Sequence, residues 1–368
     1  MSKIRFIMIG GFLGAGKTTT LSKLASFYKS KGFQIGMVTN DQANDLVDTQ
    51  FLRSSGFSVE EVPGACFCCR FDELIDRVHQ FKASQQPMVI LAEPVGSCTD
   101  LVATVVQPIR DLYREKFSVA PYPVLFKPSH GLKILRKQSS GFSAKAAYIF
   151  RKQLEEADTI VINRIDEVEQ TTLEELHALL EREFPKIPIL ELSAKLGNGI
   201  PRLAEFLDQE GVFGQKILDI DYDIYAEGEA ELGWLNTAVS IKSNSPFSLD
   251  QIVLQTVEGL RQVLLNSGGE VAHLKVIGMH QSSYAVANWI SNDLPAELSW
   301  ASHDNVDEAE LIVNARMAID PVVLEQEVQS CLRRLSLIYR LTPIFRQSQS
   351  LRPGRPTPTH RYAQPKLI

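Results

Sequence analysis

Along about the first two hundred residues, short apolar runs alternate with stretches in which apolar side chains recur at helical spacing. Ile4 to Ile9 is an apolar run with β-branched residues, and Thr18 to Tyr28 places apolar residues on one helical face. Alternating strands and helices are typical of an α/β fold, here a doubly wound parallel sheet that contacts its ligands at the carboxyl ends of the strands. The other predicted elements of this region are strands at 35–38, 88–93, 122–128, 159–162 and 187–192 and a helix at 171–184.

The pattern changes near residue 217, where an acidic stretch predicts a linker or the beginning of a second domain. The order of elements that follows predicts a smaller C-terminal α+β domain. The end of the chain contains several prolines and arginines, a composition that predicts disorder. We therefore predict one domain at 1–216, a second at 217–340 and a disordered tail at 341–368. The elements predicted for the second domain are strands at 235–241, 271–277, 284–290 and 311–319 and helices at 248–265 and 321–334.

Composition and charge narrow the class of protein. A chain of 368 residues favours two domains over one. A net charge of -6 argues against general nucleic-acid binding, which needs a basic surface. No apolar run approaches the roughly 20 residues that a membrane span requires, and the N-terminal run is too short for a signal peptide. We therefore expect a cytoplasmic protein with neither nucleic acid nor membrane as a partner.

The run Gly11-Phe12-Leu13-Gly14-Ala15-Gly16-Lys17-Thr18 matches the phosphate-binding loop G-x-x-x-x-G-K-[ST], and it lies between a predicted strand and a predicted helix as that motif requires. Glycines allow the backbone to wrap around phosphate oxygens, and the helix N-terminus adds a positive dipole. Lys17 is predicted to reach the β- and γ-phosphates, and Thr18 to hold Mg²⁺. The candidate nucleotide-binding residues of the loop are Gly11, Gly14, Ala15, Gly16, Lys17, Thr18 and Thr19.

Two later segments indicate which base is bound. Asn163-Arg164-Ile165-Asp166 follows a predicted strand and resembles the N-K-x-D element of GTPases, with Arg in place of the usual Lys. A carboxylate at Asp166 can accept from both N1–H and the exocyclic amino group of guanine, whereas adenine has no matching pair of donors. Ser193-Ala194-Lys195 follows the next strand and resembles the S-A-K loop that completes the base pocket. All of these except Ile165 are candidate GTP-binding residues, and an ordinary polar strand end is the alternative.

A further strand, from Met88, ends in Glu93 and is followed three positions later by Gly96. This arrangement is similar to the Walker-B and switch-II segment of GTPases. Glu93 is a candidate catalytic residue that contacts Mg²⁺ through water or orients the attacking water, and Gly96 is a candidate donor to the γ-phosphate. The alternative is that Glu93 is simply the first polar residue after a strand.

The segment Cys66-Phe67-Cys68-Cys69 supplies three sulfur atoms from one short loop. Thiolates favour zinc, Cu(I) and iron–sulfur clusters over magnesium or calcium. A tetrahedral zinc site needs a fourth ligand, which can be water, a nearby side chain or a residue of an acceptor protein. The alternative is that these cysteines are small buried apolar residues. Cys98 is a packed cysteine or an additional ligand, and packing is the favoured interpretation.

Together these motifs resemble the CobW-like GTPases, relatives of the nickel-insertion GTPases UreG and HypB. The resemblance covers about the first two hundred residues, with Ala65 in place of the usual glycine before the first cysteine. It implies a P-loop GTPase domain, a smaller C-terminal domain, and delivery of a metal, zinc most often, that the C-x-C-C cysteines bind under control of GTP. Asp41, which follows the strand at 35–38, is then the candidate Mg²⁺ or metal contact between nucleotide and cysteines, with a helix cap as its alternative.

The favoured interpretation is a GTP-hydrolysing metallochaperone that delivers zinc to a client metalloprotein. Its cofactors are GTP, Mg²⁺ and Zn²⁺, and its hydrolysis is expected to be slow because no arginine finger is identifiable. One alternative is a GTP-gated interaction switch that assists assembly of a corrinoid or other metallocofactor enzyme without binding metal itself. Another is a small-molecule kinase, against which the N-R-I-D and S-A-K segments argue.

Overall fold

The structure, a computed structural model, describes residues 3–41, 52–53, 56–81, 88–137, 143–266, 271–292 and 294–366. The chain divides into two compact units. Among the described residues, those up to 226 and those at 355–366 belong to the first unit, and those at 227–354 belong to the second. The fold class predicted from the sequence, an α/β domain joined to a smaller α+β domain, is confirmed by the parallel sheets of the first unit and the antiparallel sheet of the second.

The first unit contains two parallel sheets. One has the strand order β4-β3-β5-β1-β6 and the other the order β2-β7-β8-β9. Only Ile9 separates β1 from β2, so the chain passes directly from one sheet to the other. The strands are β1 (Ile4–Met8), β2 (Gly10–Gly11), β3 (Gln34–Asp41), β4 (Ser58–Pro63), β5 (Met88–Glu93), β6 (Phe117–Val119), β7 (Pro123–Phe126), β8 (Thr159–Asn163) and β9 (Ile189–Leu192).

The helices of the first unit pack their apolar residues against these strands. Leu21, Leu24 and Tyr28 of α1 are buried in the core beside β1, and Leu176 of α6 is buried as well, so the helical periodicity at both places is confirmed. The helices are α1 (Lys17–Ser30), α2 (Phe71–Gln80), α3 (Gln107–Leu112), α4 (Pro128–Leu135), α5 (Ala144–Glu156), α6 (Gln170–Glu183) and α7 (Ile200–Leu207); a π-helical turn, Val102–Val106, precedes α3. The next helix, α8 (Tyr222–Ala230), contains the boundary between the two units, which falls after residue 226.

The second unit is built on one antiparallel sheet of order β13-β12-β11-β14-β10-β15. Leu260 of α9 and Val328 of α10 are fully buried in the same core as the strand residues Val276 and Val313, so both helices cover the sheet. Its elements are β10 (Gly233–Ser248), α9 (Leu249–Asn266), β11 (Val271–His280), β12 (Ser283–Trp289), β13 (Glu297–Trp300), β14 (Asn305–Met317), α10 (Pro321–Tyr339) and β15 (Thr342–Leu351).

The C-terminal end of the chain differs from the sequence prediction of a disordered tail at 341–368. Residues 342–351 form β15, which pairs with β10 from Thr342 opposite Lys242 to Leu351 opposite Trp234. The prolines that suggested disorder lie mostly beyond this strand, while backbone hydrogen bonds to β10 order residues 342–351. The acidic stretch contains helix α8, which begins at Tyr222.

Among the helices in the described part of the chain, none combines the length and the apolar character needed to cross a membrane.

Candidate functional site

The predicted phosphate loop joins β2 to α1 at the carboxyl edge of the first unit's sheets. Gly14 and Gly16 have φ values of 72° and 87°, in the left-handed region that favours glycine. A Cβ at Gly16 would lie 2.4 Å from Nδ2 of Asn163, so the close approach of these two segments also requires glycine. The Nζ of Lys17 is directed across the loop and donates to the carbonyl of Gly11 at 3.0 Å.

The residues predicted to bind the phosphates and Mg²⁺ or to act in hydrolysis lie close together beside this loop. The hydroxyl of Thr18 donates to Oε1 of Glu93 at 3.1 Å, and both side chains are buried. Such oxygen atoms are the ligands that Mg²⁺ prefers, so the pair fits a magnesium site. A Cβ at Gly96 would lie 3.0 Å from Nζ of Lys17, so the backbone of Gly96 lies against the loop. The structure therefore brings Lys17, Thr18, Glu93 and Gly96 together.

The two segments predicted to bind guanine contact each other and the phosphate loop. Asn163 donates through Nδ2 to the carbonyl of Ala15 at 2.7 Å, and its Oδ1 accepts from the backbone N–H of Ala194 at 3.0 Å. Ser193 donates to Oδ1 of Asp166 at 2.5 Å. Asp166 is thereby positioned at the carboxyl ends of β8 and β9, with Arg164 in a left-handed conformation before it.

Asn163 and Ser193 thus hold the loops in place through these hydrogen bonds, and the bond from Ser193 engages one of the two carboxylate oxygens of Asp166. Of the remaining candidates, Thr19 lies in the first turn of α1, and Lys195 is exposed beside Ala194. A hydrogen bond between one side chain and another loop is decided by tertiary packing, so these roles could not be assigned from the motifs alone.

The three cysteines of the C-x-C-C segment form one compact cluster. Sγ of Cys66 lies 2.7 Å from Sγ of Cys68 and 3.3 Å from Sγ of Cys69, and the latter two are 3.7 Å apart. Cys66 and Cys68 are buried, and Cys69 is half-buried. Zinc bonds sulfur at about 2.3 Å, which needs sulfurs about 3.8 Å apart, so metal binding has to widen the closest pair by about 1 Å. Among the described residues, Cys66, Cys68 and Cys69 are the group of three metal-ligating side chains whose ligand atoms all lie within 4.8 Å of one another.

The three thiols shift one another's pKa values in different directions. Hydrogen bonds from Cys68 and Cys69 lower the pKa of Cys66 well below its usual value, against the opposing effect of burial. The hydrogen bond to Cys66 raises the pKa of Cys68 strongly and that of Cys69 to about 11. Zinc binds thiolates, so metal binding to these sulfurs has to release the protons that they still carry.

Asn40 holds the cysteine loop in place. Its Nδ2 donates to the carbonyls of Val62 at 2.7 Å and Ala65 at 2.6 Å, and its Oδ1 accepts from the backbone N–H of Phe67 at 2.9 Å. The sequence analysis singled out the neighbouring Asp41 as a metal contact. Asp41 ends β3, but its side chain lies outside the described part of the structure. The interpretation of Asp41 therefore stays a prediction.

The segment after Glu93 reaches both the phosphate loop and the cysteines. Gly96 lies against Lys17, and two residues later Cys98 hydrogen-bonds to Cys66 and so helps to lower its pKa. Gln153 of α5 fixes this segment by donating to the carbonyls of Gly96 at 3.0 Å and Cys98 at 2.8 Å. Sequence reasoning missed Gln153, because a glutamine on an amphipathic helix gives no signal of its partner.

Comparison with known proteins gives the following matches. The model of the family described as CobW/HypB/UreG, nucleotide-binding domain, matches residues 5–191. The zinc chaperone YeiR of Escherichia coli is 30% identical over 180 residues, which are 47% of this chain and 49% of YeiR. The zinc chaperone YjiA of E. coli is 32% identical over 77 residues, 21% of this chain and 24% of YjiA. The chain thus spans at most about half the length of these relatives.

The crystal structure of HypB from Helicobacter pylori in complex with nickel has a TM-score of 0.40 at 17% identity, covering 57% of this chain and 92% of that chain.

Proposed function

The chain belongs to the CobW/HypB/UreG family of nucleotide-binding proteins, and from this premise we propose that it is a GTP-hydrolysing metallochaperone that delivers zinc to a client metalloprotein. The observation that carries the proposal is the position of residues 93–98. Glu93 and Gly96 lie at the phosphate loop, while Cys98 contacts the cysteine cluster. A change at the γ-phosphate therefore has a short physical route to the metal-binding atoms.

The nucleotide part of the proposal assigns GTP to the loop and to the pocket beside Asp166. Lys17 would hold the β- and γ-phosphates, and Thr18 and Glu93 would hold Mg²⁺, which supplies positive charge to the phosphates when bound. Gly96 would donate its N–H to the γ-phosphate, and Glu93 would orient the attacking water. We expect slow hydrolysis, because no arginine finger is identifiable in the sequence.

The metal part of the proposal assigns zinc as cargo to Cys66, Cys68 and Cys69. Thiolate donors favour zinc over hard cations, and the relatives YeiR and YjiA are zinc chaperones by name. Three protein ligands leave a fourth tetrahedral position for water or for a ligand of the acceptor. An open position suits a carrier, since the acceptor can bind the ion before the carrier releases it.

Coupling between the two sites is the test of the proposal. If a non-hydrolysable GTP analogue changes zinc affinity by some factor relative to GDP, zinc has to change the ratio of analogue to GDP affinity by the same factor. We expect a factor of about 30, at the middle of the usual range for such coupling. Both factors can be measured by titration calorimetry, with a chelator to buffer free zinc. Zinc binding that is the same in both nucleotide states would contradict a GTP-controlled carrier.

Guanine recognition gives a separate prediction. Asp166→Asn is expected to weaken GTP binding about 100-fold, because it replaces a charged acceptor of two hydrogen bonds from the base. Xanthosine triphosphate has a carbonyl in place of the guanine amino group, and the variant is expected to bind it more tightly than GTP. Competition against a fluorescent nucleotide measures both affinities, and Asp219→Asn, at an exposed aspartate of the same unit, is the control. Tighter binding of ATP than GTP by the unmodified protein would favour the kinase alternative.

A further inference from the structure

Residues 355–366 form an extended segment, here called the C-terminal clasp, that belongs to the first unit although it follows the last strand of the second. The segment contains no helix or strand. Its order therefore depends on side-chain contacts and isolated backbone hydrogen bonds to the surface on which it lies. The contacts that matter here fall on the cysteine loop and on Asp100 and the residues that follow it, and other contacts reach Leu218 and Asp223.

The first half of the clasp lies on the cysteine loop. The backbone N–H of Thr359 donates to the carbonyl of Cys68 at 2.8 Å, and its hydroxyl donates to the carbonyl of Cys69 at 3.3 Å. The backbone N–H of Thr357 donates to Sγ of Cys69 at 3.3 Å. His360 adds an edge-to-face contact with Phe71, with ring centroids 5.0 Å apart. The clasp therefore contacts both the backbone of the loop and one of its sulfur atoms.

The second half of the clasp is anchored by an ion pair between Arg361, which is partly exposed, and a buried carboxylate. Nε of Arg361 donates to Oδ2 of Asp100 at 2.7 Å, and the hydroxyl of Tyr222 donates to the same oxygen at 2.8 Å. The side chain of Asp100 is 1% exposed, so its charge depends on these partners. Tyr362 extends the anchor, since its backbone N–H donates to the carbonyl of Ala103 at 3.0 Å. Its hydroxyl also donates to Asp111 at 2.7 Å.

The anchor is connected to the nucleotide site through the chain itself. Asp100 comes four residues after Gly96, and residues 93–100 are all buried. A buried segment cannot move at one end without repacking its neighbours. A shift at Gly96 therefore has a direct route to Asp100 and from there to the clasp.

We propose that the C-terminal clasp is a displaceable cover of the cysteine cluster, held closed by the pair between Arg361 and Asp100. In the closed position it restricts access of solutes to Cys69, and in the open position it exposes the cluster to the protein that receives the metal. The identity of that recipient rests on the proposed function. The cover itself does not, because it concerns access to thiols and can be tested on protein without metal or nucleotide.

The test measures how fast iodoacetamide modifies each cysteine of the reduced, metal-free, full-length protein, followed by peptide mass spectrometry. Arg361→Ala is expected to speed modification of Cys69 about 10-fold, which corresponds to about 1.4 kcal/mol less stability of the closed position. Cys331, buried in the core of the second unit, is the internal reference for unfolding of that unit and should keep its rate, and circular dichroism checks that the first unit stays folded. Gln364→Ala is the matched control, because Gln364 is an exposed residue of the same segment.

An unchanged rate at Cys69 in Arg361→Ala would overturn the proposal. If that variant unfolds, so that Cys331 also reacts faster, Tyr362→Phe replaces it, since that change removes only the hydrogen bond to Asp111. It should speed modification of Cys69 a few-fold, and an unchanged rate there would equally overturn the proposal. Zinc titration of the same proteins separates the two proposals. Faster modification without zinc binding supports the cover and contradicts the carrier, whereas tight zinc binding with unchanged modification does the reverse.

Discussion

Replacing Lys17 with alanine is expected to weaken GTP binding about 1000-fold and to abolish hydrolysis. Its side chain is buried, and its Nζ lies across the loop near Gly11 and Gly96. Under the proposed function this ammonium group donates to oxygens of two phosphates. Hydrogen bonds to charged groups contribute about 1.5–3 kcal/mol each, so the loss of two amounts to about three powers of ten in affinity.

The matched control for this change is Lys23→Ala. Lys23 lies on the exposed face of the same helix, α1, so it carries the same charge without facing the loop. Nucleotide affinity should be measured by titration with a fluorescent GTP analogue, and turnover by release of inorganic phosphate. Circular dichroism of both variants checks that the fold is kept. Normal turnover in Lys17→Ala would refute the assignment of the phosphate loop.

The sequence could predict the parts of the molecule that depend on residues close together along the chain. The strand before Gly11, the helix after Lys17 and the alternation of strands and helices follow from apolar periodicity, and the structure has them at nearly the predicted positions. The relative position of Asn163 and Ser193 also follows, because β8 and β9 are neighbouring parallel strands whose carboxyl ends lie at one edge. Motifs that follow neighbouring parallel strands lie close together, because the carboxyl ends of those strands are at the same edge of the sheet.

What sequence could not predict depends on contacts between distant residues. Asn40 fixes the cysteine loop 22 to 27 positions away, and Gln153 fixes the segment at Gly96 from 57 positions away. Asparagine is also common as a helix cap and glutamine on solvent-facing helix surfaces, so the residue types alone do not indicate these contacts. Their function is visible only when the backbone groups that accept from them are known.

The C-terminal residues show the same limit for secondary structure. Composition favours disorder when a segment has too few apolar residues to bury. β15 nevertheless obtains its hydrogen bonds from β10, and the clasp obtains its order from Asp100, more than 250 positions away. Both depend on a partner that is already folded, so no local property of the sequence distinguishes them from a free tail.

Changing Cys66, Cys68 and Cys69 together to serine is expected to weaken zinc binding by at least about 10⁴-fold. Zinc sites with protein ligands are bound with apparent free energies of about 10–16 kcal/mol, and thiolates supply most of that energy in a sulfur-rich site. Serine keeps the shape of the loop closely but remains protonated and is a poor zinc ligand. The hydrogen bonds from Asn40 go to the backbone and to no sulfur, so the loop should keep its position.

The measurement is competition for zinc against a coloured chelator, carried out with GDP and with a non-hydrolysable GTP analogue. Cys331→Ala is the matched control, because Cys331 is buried in the other unit and should not alter zinc affinity. Co²⁺ in place of Zn²⁺ adds a spectroscopic check, since thiolate ligands give charge-transfer absorption that the triple variant should lack. GTP affinity of the triple variant should stay close to that of the unmodified protein, which separates loss of metal from loss of fold. Unchanged zinc affinity together with normal GTP binding would instead favour a GTP-gated interaction switch that binds no metal itself.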